Sequence, residues 1–176
     1  MQLKDRPRVF LDTETTGLNP RTHEMIEFAG LKVYPDGEVE ALEMKITPER
    51  IEDASPKALE INGYTEEAWR DSVPMSEAIP QIVEFVKGCV LVGHNIKFDF
   101  NFIKAAAQKH DAGGLPYHTV DTVTLAYEHL APRGLSKMSL ANVCDYLGIS
   151  NANAHTAMVD VIRCKEVFDR LTAGDY

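Results

Sequence analysis

The amino-terminal part of the chain constrains the fold most, because three strand-like apolar runs follow one another there. They are RVFLDTET (8–15), MIEFAGLKVY (25–34) and VEALEMKI (39–46), and the last two are joined by the turn sequence Pro-Asp-Gly at 35–37. Strands that follow one another through short loops usually pair side by side. The sequence therefore predicts that the fold begins with a three-stranded antiparallel meander.

The rest of the chain predicts helices and two further strands. Periodicity and turn residues place these elements, in chain order, at 55–71 (two short helices), 75–88 (a helix), 89–110 and 118–130 (each a strand followed by a helix), 140–147 and 155–171 (helices). The two short helices are separated at Asn62-Gly63, and Ser139 is expected to cap the helix at 140–147. Strands first and helix-linked strands afterwards predict an α/β fold, with a mixed sheet and helices on its faces.

Size and charge limit the class of protein. With 176 residues and no repeat, low-complexity tract or linker, the chain is expected to form one domain over 1–176. The net charge is 18 − 27 = −9, the wrong sign for gripping long duplex nucleic acid, although an enzyme with an acidic cation site can carry it. We see no apolar stretch long enough to span a membrane and no amino-terminal leader, so we expect a cytoplasmic protein without a membrane partner.

The three cysteines, Cys89, Cys144 and Cys164, are widely spaced and form no C-x-x-C pair. An odd number without metal-ligand spacing favours buried, reduced thiols over a disulfide framework or a zinc site. We therefore expect all three cysteines in the core.

The first apolar run ends with two acidic residues two positions apart, Asp12 and Glu14. Alternate side chains of a strand share a face, so both carboxylates are expected on the same side of the sheet, a few ångströms apart. Two anions at that separation either share a proton or hold a cation between them. A capping or turn pair at a strand end is the alternative.

Two more acidic residues stand at the edges of apolar elements. Asp99 follows the fourth predicted strand, at the end where open α/β sheets build their sites, although Asp is also common in the first turn of a helix. Asp160 is expected in the second turn of the last helix. His155, five positions earlier, cannot share its face in a regular helix and is expected at or before the first turn, with an exposed loop histidine as the alternative. If these carboxylates converge with Asp12 and Glu14, their hard oxygen ligands select Mg²⁺ or Mn²⁺ over zinc.

Three segments around these residues resemble the exonuclease motifs of the DEDD superfamily, in its histidine-bearing subgroup. They are DTETTG (12–17), HNIKFD (94–99) and the His-x4-Asp of HTAMVD (155–160), in the family's order and spacing. The chain is most similar to the proofreading epsilon-subunit exonucleases of bacterial DNA polymerase III and their stand-alone relatives, from about Arg8 to Leu171. The resemblance implies a ribonuclease H-like fold, a five-stranded mixed sheet flanked by helices.

The resemblance also implies a two-metal mechanism. Asp12, Glu14, Asp99 and Asp160 would hold two divalent metal ions, Mg²⁺ or Mn²⁺, and His155 would take a proton from the attacking water. The implied reaction is 3′-to-5′ hydrolysis of the terminal phosphodiester, with release of nucleoside 5′-monophosphates. The implied partner is the 3′ end of single-stranded DNA or RNA, with DNA favoured.

By the same resemblance, six further residues would contact the terminal nucleotide: Thr13, Thr15, Thr16, Leu18, His94 and Asn95. Leu18 would wedge against a base, with ordinary core packing as the alternative. His94 is also explained as a hydrogen-bonded histidine at a strand end, and Phe98 is expected in the core. Isolated cations such as Lys97 could contact phosphates, although such residues usually have no specific role.

Two positions depart from the family pattern, so the sequence does not identify the branch of the family to which the chain is most similar. Asn62 stands where relatives often have His, and Val159 stands beside Asp160 where many have a second Asp. A stand-alone exonuclease, a proofreading subunit bound to a DNA polymerase and an oligoribonuclease-like enzyme are all compatible. Epsilon subunits carry a carboxy-terminal extension, whereas only TAGDY follows the last predicted helix here. This difference favours the stand-alone exonuclease. A catalytically silent nucleic-acid-binding module is disfavoured, because all five proposed catalytic residues are present.

Overall fold

The computed structural model describes residues 2–151 and 156–176. Its strands are β1 (Arg8–Thr15), β2 (Met25–Val33), β3 (Val39–Thr47), β4 (Val73–Pro74), β5 (Val90–Gly93) and β6 (Thr119–Asp121). Within the described residues they form a six-stranded sheet in the order β4-β3-β2-β1-β5-β6. β1, β2 and β3 are antiparallel neighbours, whereas β5 and β6 continue the sheet parallel to β1. The predicted meander and the mixed α/β sheet are both confirmed.

Helices cover the sheet on both faces. They are α1 (Pro56–Asn62), α2 (Met75–Val86), α3 (Ile96–Lys109), α4 (Thr122–Leu130), α5 (Leu140–Leu147) and α6 (Ala157–Ala173). The predicted ends of α5 are confirmed: the Ser139 hydroxyl accepts a hydrogen bond from the Asn142 backbone N–H, and Gly148 follows the helix in the left-handed conformation. In the described part of the chain, no helix is both long and apolar enough to cross a membrane.

The structure differs from the sequence prediction at three places. A sixth strand, β4, pairs with Ile46 and Thr47 at the sheet edge, where a proline is tolerated because an edge strand has a neighbour on one side only. The second short helix expected before residue 71 is a series of turns, held by the buried Trp69, whose indole N–H donates to the Ile26 carbonyl. α6 begins at Ala157, which puts Asp160 in its first turn.

Alternation along β1 directs its side chains to two layers of helices. Val9 and Leu11 pack in one apolar cluster with α2 and α3. Phe10 packs on the opposite face against α6, in edge-to-face contact with one of its aromatic rings. Because side chains alternate along a strand, Asp12 and Glu14 project from the same face as Phe10. The carboxylates of β1 are therefore directed toward α6.

The three cysteines are free and buried, as predicted. Burial raises the pKa of the Cys89 thiol, raises that of Cys144 to about 11, and raises that of Cys164 further. They therefore behave as small apolar side chains of the core.

Candidate active site

Three carboxylates meet where the end of β1 faces the start of α6. Asp12 and Glu14 reach this point from β1, and Asp160 reaches it from the first turn of α6. One carboxylate oxygen from each residue takes part in a group whose members all lie within 4.8 Å of one another. The structure thus brings together three of the four carboxylates that the sequence singles out.

Asp99 approaches the cluster from the opposite helix layer. It lies in the first turn of α3 and is 3% exposed. Its Oδ1 accepts two hydrogen bonds from Thr13, one from the backbone N–H at 3.0 Å and one from the hydroxyl at 2.8 Å. Because Thr13 lies between Asp12 and Glu14 on β1, these bonds hold Asp99 beside the other carboxylates. Its charge helps to raise the pKa of Asp12, as expected for near neighbours.

The acidic side chains carry an unfavourable concentration of negative charge. Burial, and then the charges of Asp99 and Glu14, hold the pKa of Asp12 well above its usual range. Burial, followed by the charges of Glu27 and Asp160, raises the pKa of Glu14 to about 8. Burial also raises the pKa of Asp99 to about 7, although the hydrogen bonds from Thr13 oppose the rise. A bound cation would remove this penalty, and a donor set made only of carboxylate oxygens fits a hard divalent ion.

Glu27 is a buried acidic residue that the sequence reasoning missed. It lies on β2 directly opposite Glu14 and is 5% exposed. Its carboxylate accepts a hydrogen bond from the backbone N–H of Ala157, the first residue of α6. Burial raises the pKa of Glu27, whereas Lys45 and the Ala157 N–H lower it. The signal in the sequence is a single acidic residue within the apolar run Met-Ile-Glu-Phe-Ala.

Arg163 is a second residue that the sequence reasoning missed. Its side chain is 5% exposed, and its Nη1 lies 2.8 Å from Asp160 Oδ1. Its Nε donates to the Ser150 carbonyl at 3.1 Å. Arg163 therefore compensates part of the negative charge and ties α6 to the chain before it. His155, the proposed proton acceptor, lies outside the described residues.

A cavity of about 300 Å³ opens beside the carboxylates. Glu14, Thr13, Thr15 and Leu18 line it, and the last three are among the residues that the resemblance assigns to substrate contact. Leu18 is 83% exposed, so it is not an ordinary core residue. An exposed leucine at the mouth of a cavity is suited to contact a flat apolar group such as a nucleobase.

The far wall of this cavity comes from elements that the sequence reasoning did not connect with the site. Ser55, Lys57, Ala58 and Ile61 contribute from α1 and the residue before it, and Ile61 is 47% exposed. Phe98, which was expected in the core, is half-buried and also lines the cavity.

Asn62, the departure from the family pattern, fastens α1 beside β1. Its side-chain amide donates to the Thr15 carbonyl at 3.1 Å, and its Oδ1 accepts from the Tyr64 backbone N–H. The asparagine thus has a structural role at the back of the cavity.

Three of the predicted substrate contacts do not appear among the described residues that line this cavity. The Thr16 hydroxyl accepts a hydrogen bond from the Glu24 backbone N–H. His94 Nε2 donates to the Met138 carbonyl at 2.7 Å, and its Nδ1 lies 2.9 Å from the Thr122 hydroxyl. Both ring nitrogens of His94 are therefore engaged by the protein. Asn95 is exposed, in the left-handed conformation before α3, and its role in substrate binding stays a prediction.

Comparisons with known proteins agree with this arrangement. The family model for exonucleases of the RNase T type matches residues 9–168. Over 172 residues, the chain is 33% identical to the PolC-type DNA polymerase III of Mycoplasma pneumoniae, covering 96% of this chain and 12% of that polymerase. It is 32% identical over 168 residues to the corresponding polymerase of Thermotoga maritima, covering 94% of this chain and 12% of that one. The chain thus spans a small part of the length of these relatives.

Solved structures share the fold. Exonuclease I of E. coli in complex with a dT13 oligonucleotide superposes with a TM-score of 0.79 at 20% identity, covering 96% of this chain and 41% of that one. Exonuclease I of Methylocaldum szegediense gives a TM-score of 0.79 at 22% identity, covering 96% and 40%. The family match extends over most of the chain, and the acidic segments have the superfamily's order. The chain therefore belongs to the exonuclease family of the DEDD superfamily.

Proposed function

We propose that this chain is a 3′-to-5′ exonuclease that hydrolyses the terminal phosphodiester of single-stranded DNA and releases nucleoside 5′-monophosphates. One observation carries the proposal: the three-carboxylate group of Asp12, Glu14 and Asp160 adjoins a cavity that Leu18 and Ile61 line with exposed apolar side chains. Its volume of about 300 Å³ is within the range of small-ligand sites. The similarity to exonuclease I, solved with bound oligonucleotides, supports the same substrate class.

In this proposal, Asp12, Glu14, Asp99 and Asp160 hold two divalent ions, Mg²⁺ or Mn²⁺. Bound there, such ions lower the pKa of water and stabilise charge on the attacking and leaving oxygens. Thr13 holds the Asp99 carboxylate in place through two hydrogen bonds.

His155 is proposed as the residue that accepts a proton from the attacking water. It precedes Thr156, the cap residue of α6, in the sequence. A neutral imidazole with an ordinary pKa near 6.5 is able to accept a proton at neutral pH. In the cavity, Leu18, Ile61 and Phe98 hold the terminal base, and their apolar surfaces orient the nucleotide toward the carboxylates.

The direct test is digestion of matched 5′-labelled single-stranded DNA and RNA oligomers with Mg²⁺, Mn²⁺ or EDTA. Wild type is compared with Asp12→Asn, which keeps the shape of the side chain and removes its charge. Asp71→Asn is the matched control, because that carboxylate is 91% exposed and lies outside the cluster. We expect a metal-dependent ladder that shortens from the 3′ end, unchanged in the control and lost in Asp12→Asn.

A ladder that persists in Asp12→Asn would show that the carboxylate cluster does not drive the reaction. Absence of any ladder from wild type with both metals would overturn the exonuclease proposal. The relative rates on DNA and RNA report whether the proposed preference for DNA holds.

A second candidate function is proofreading in association with a DNA polymerase. It is favoured by the similarity to PolC-type polymerases over 96% of this chain but only 12% of the first polymerase. Gel filtration with a replicative polymerase tests it, followed by excision of a mismatched 3′ nucleotide from a primer-template. Co-migration and faster removal of the mismatch are expected, whereas separate elution and no preference for the mismatch contradict this role.

A further inference from the structure

A second cavity runs along α3, away from the carboxylates. It has a volume of about 530 Å³ and lies between α3 and residues 113–119. Lys97, Asn101, Lys104 and Gln108 line it from the helix. Their spacing of four, three and four residues places them on one face of α3. We call this cavity the α3 groove.

The α3 groove differs in charge from the molecule as a whole. The chain has a net charge of −9, yet no carboxylate is found among the described residues that line the groove. Lys97 and Lys104 are exposed, and neither forms a salt bridge with another described residue. Unpaired cations in a groove without acidic side chains attract an anionic ligand.

The cavity on the other side of α3 shows the contrast. It has a volume of about 440 Å³ and is also lined by cations, including Arg50 and Lys109. There Arg50 pairs with Glu24, and Lys109 pairs with Glu49, and all four residues line the cavity. Arg50 and Lys109 are therefore paired with carboxylates of their own cavity, whereas Lys97 and Lys104 have no carboxylate to pair with among the described residues of the α3 groove.

Aromatic surface completes the α3 groove. Tyr117 is 91% exposed and lines the wall opposite the helix, and Phe100 is half-buried in the same groove. Exposed aromatic rings beside lysines and amides are the combination that proteins use for single-stranded nucleic acid, because bases stack on the rings while cations contact the backbone.

The groove begins at the active-site end of α3. Ile96 and Lys97 line it from the first turn of the helix, which also carries Asp99. From Lys97 to Gln108 the helix rises by about 16 Å, enough for several nucleotides. The first turn of α3 thus carries both a carboxylate of the candidate active site and the beginning of the α3 groove.

We propose that the α3 groove binds the nucleotides of a single DNA strand that lie 5′ of the terminal phosphodiester. Lys97 and Lys104 contact phosphates, and a base stacks on Tyr117. The proposal rests on the proposed exonuclease function for the direction of the strand, but binding of the strand is measured separately from its hydrolysis.

The first experiment measures binding in the Asp12→Asn background with Mg²⁺, so that the strand is not consumed. Fluorescence anisotropy of a labelled oligothymidylate of roughly 20 nucleotides is followed for Tyr117→Ala and Lys104→Ala, and Tyr117→Ala should weaken binding about tenfold. Lys104→Ala should reduce the slope of log affinity against log salt by roughly 0.7, the value for one phosphate contact on a single strand.

The matched controls are Tyr127→Ala, on α4 with 64% exposure, and Lys87→Ala, whose side chain is 69% exposed at the end of α2. Neither residue lines the groove, so binding should be unchanged. Equal binding by the groove variants and the controls would overturn the proposal.

The second experiment compares hydrolysis of a trinucleotide with that of the long oligomer. The trinucleotide is too short to extend along the groove, so Tyr117→Ala and Lys104→Ala should lower kcat/KM for the long strand only. Equal losses on both substrates would place the effect at the active site and contradict a groove that binds upstream nucleotides. If wild type hydrolyses neither substrate, the exonuclease function fails, and the binding measurement still decides whether the groove takes the strand.

Discussion

Thr13 fixes the position of Asp99, because its backbone N–H and its hydroxyl donate to the same carboxylate oxygen. Both residues are buried, at 5% and 3% exposure, so these bonds are shielded from water. A resemblance to known motifs directs attention to Thr13 as a contact of the substrate. The structure adds that this threonine connects β1 to α3.

Thr13→Val should therefore destabilise the metal-free protein while leaving its shape unchanged. Losing one hydrogen bond to a buried, ionised carboxylate costs about 1.5–3 kcal/mol. The destabilisation should be larger above pH 7 than below it. The pKa of Asp99 is about 7, and the ionised carboxylate is stabilised more by the hydrogen bond than the protonated form is. Urea unfolding in EDTA measures it, with Thr13→Ser as the control that keeps the hydroxyl. Equal stabilities of the Val and Ser variants would argue against this role.

Glu14 should make the metal-free protein less stable as the pH rises. Its pKa is about 8 in the folded state, above the ordinary value of 4.5. Between these values the folded carboxyl keeps a proton that the unfolded chain has released, so a rise in pH favours unfolding. The stabilising contribution is complete below about pH 4.5 and is lost as the pH passes through about 8, at up to about 1.4 kcal/mol per pH unit.

Unfolding of wild type and Glu14→Gln in EDTA from pH 5 to pH 9 tests this dependence. Part of the decline should disappear in the Gln variant, which cannot ionise. Mg²⁺ should stabilise wild type more at pH 8 than at pH 6, because ionised carboxylates bind the cation. The idea fails if stability in EDTA is flat across this range, or if Glu14→Gln follows the same curve as wild type.

At the scale of elements, three polar contacts lie at the beginning of α6. Glu27 accepts the Ala157 N–H, and Arg163 pairs with Asp160 and donates to the Ser150 carbonyl. The contact with Glu27 fastens the first turn of α6 to β2, and the contacts of Arg163 join Asp160 to the chain at Ser150. The position of the Asp160 carboxylate therefore depends on how α6 is seated.

Arg163→Met should be strongly destabilising, because it leaves the Asp160 carboxylate without its buried ion-pair partner. The expected cost is about 3–5 kcal/mol, and Arg163→Lys should lose less because it keeps the charge. Arg170→Met is the control on the same helix, since its side chain and that of its partner Glu166 are 36% and 46% exposed, far more than those of Arg163 and Asp160, and its cost should stay within about 1 kcal/mol. Thermal unfolding of the three variants measures these costs. A similar loss of stability for Arg163→Met and Arg170→Met would contradict the role of the Arg163–Asp160 ion pair.

Local sequence patterns predicted most of the elements but fewer of the contacts between them. Apolar runs and turn residues located β1, β2 and β3, and the side-chain period of two placed Asp12 and Glu14 on one face. Glu27 was missed because its place opposite Glu14 depends on the register between β1 and β2, which no local pattern specifies.

Long-range packing explains the other omissions. Ile61 reaches the cavity because α1 packs beside the end of β1, and Arg163 meets Ser150, which lies 13 positions earlier in the sequence. The turns around Trp69 replaced a predicted helix because the indole is drawn into the core and donates to β2. In each case a tertiary contact overrode or supplemented the local propensity.

At the scale of the whole molecule, the buried cysteines report on global unfolding. Cys89, Cys144 and Cys164 lie in the core, and burial raises the pKa of each thiol. Because only the thiolate reacts readily, the native protein should be inert to a thiol reagent at pH 8. All three cysteines should become reactive together when the chain unfolds, and Mg²⁺ should slow the reaction by stabilising the native state.

Time-resolved labelling with a chromogenic thiol reagent, with and without Mg²⁺, measures this behaviour. Single-phase kinetics for three thiols are expected. Rapid labelling of one cysteine in the native protein would show that this thiol is accessible without global unfolding.

The contribution of carboxylates by β1, α3 and α6 has a consequence for the order of events during synthesis. Asp12 and Asp160 are separated by 160 − 12 = 148 positions, which a ribosome translates in roughly 7–30 s. Throughout that interval the emerging chain carries Asp12 and Glu14 without the acidic residue of α6. The proposed cation site thus cannot be completed until α6 has left the ribosome.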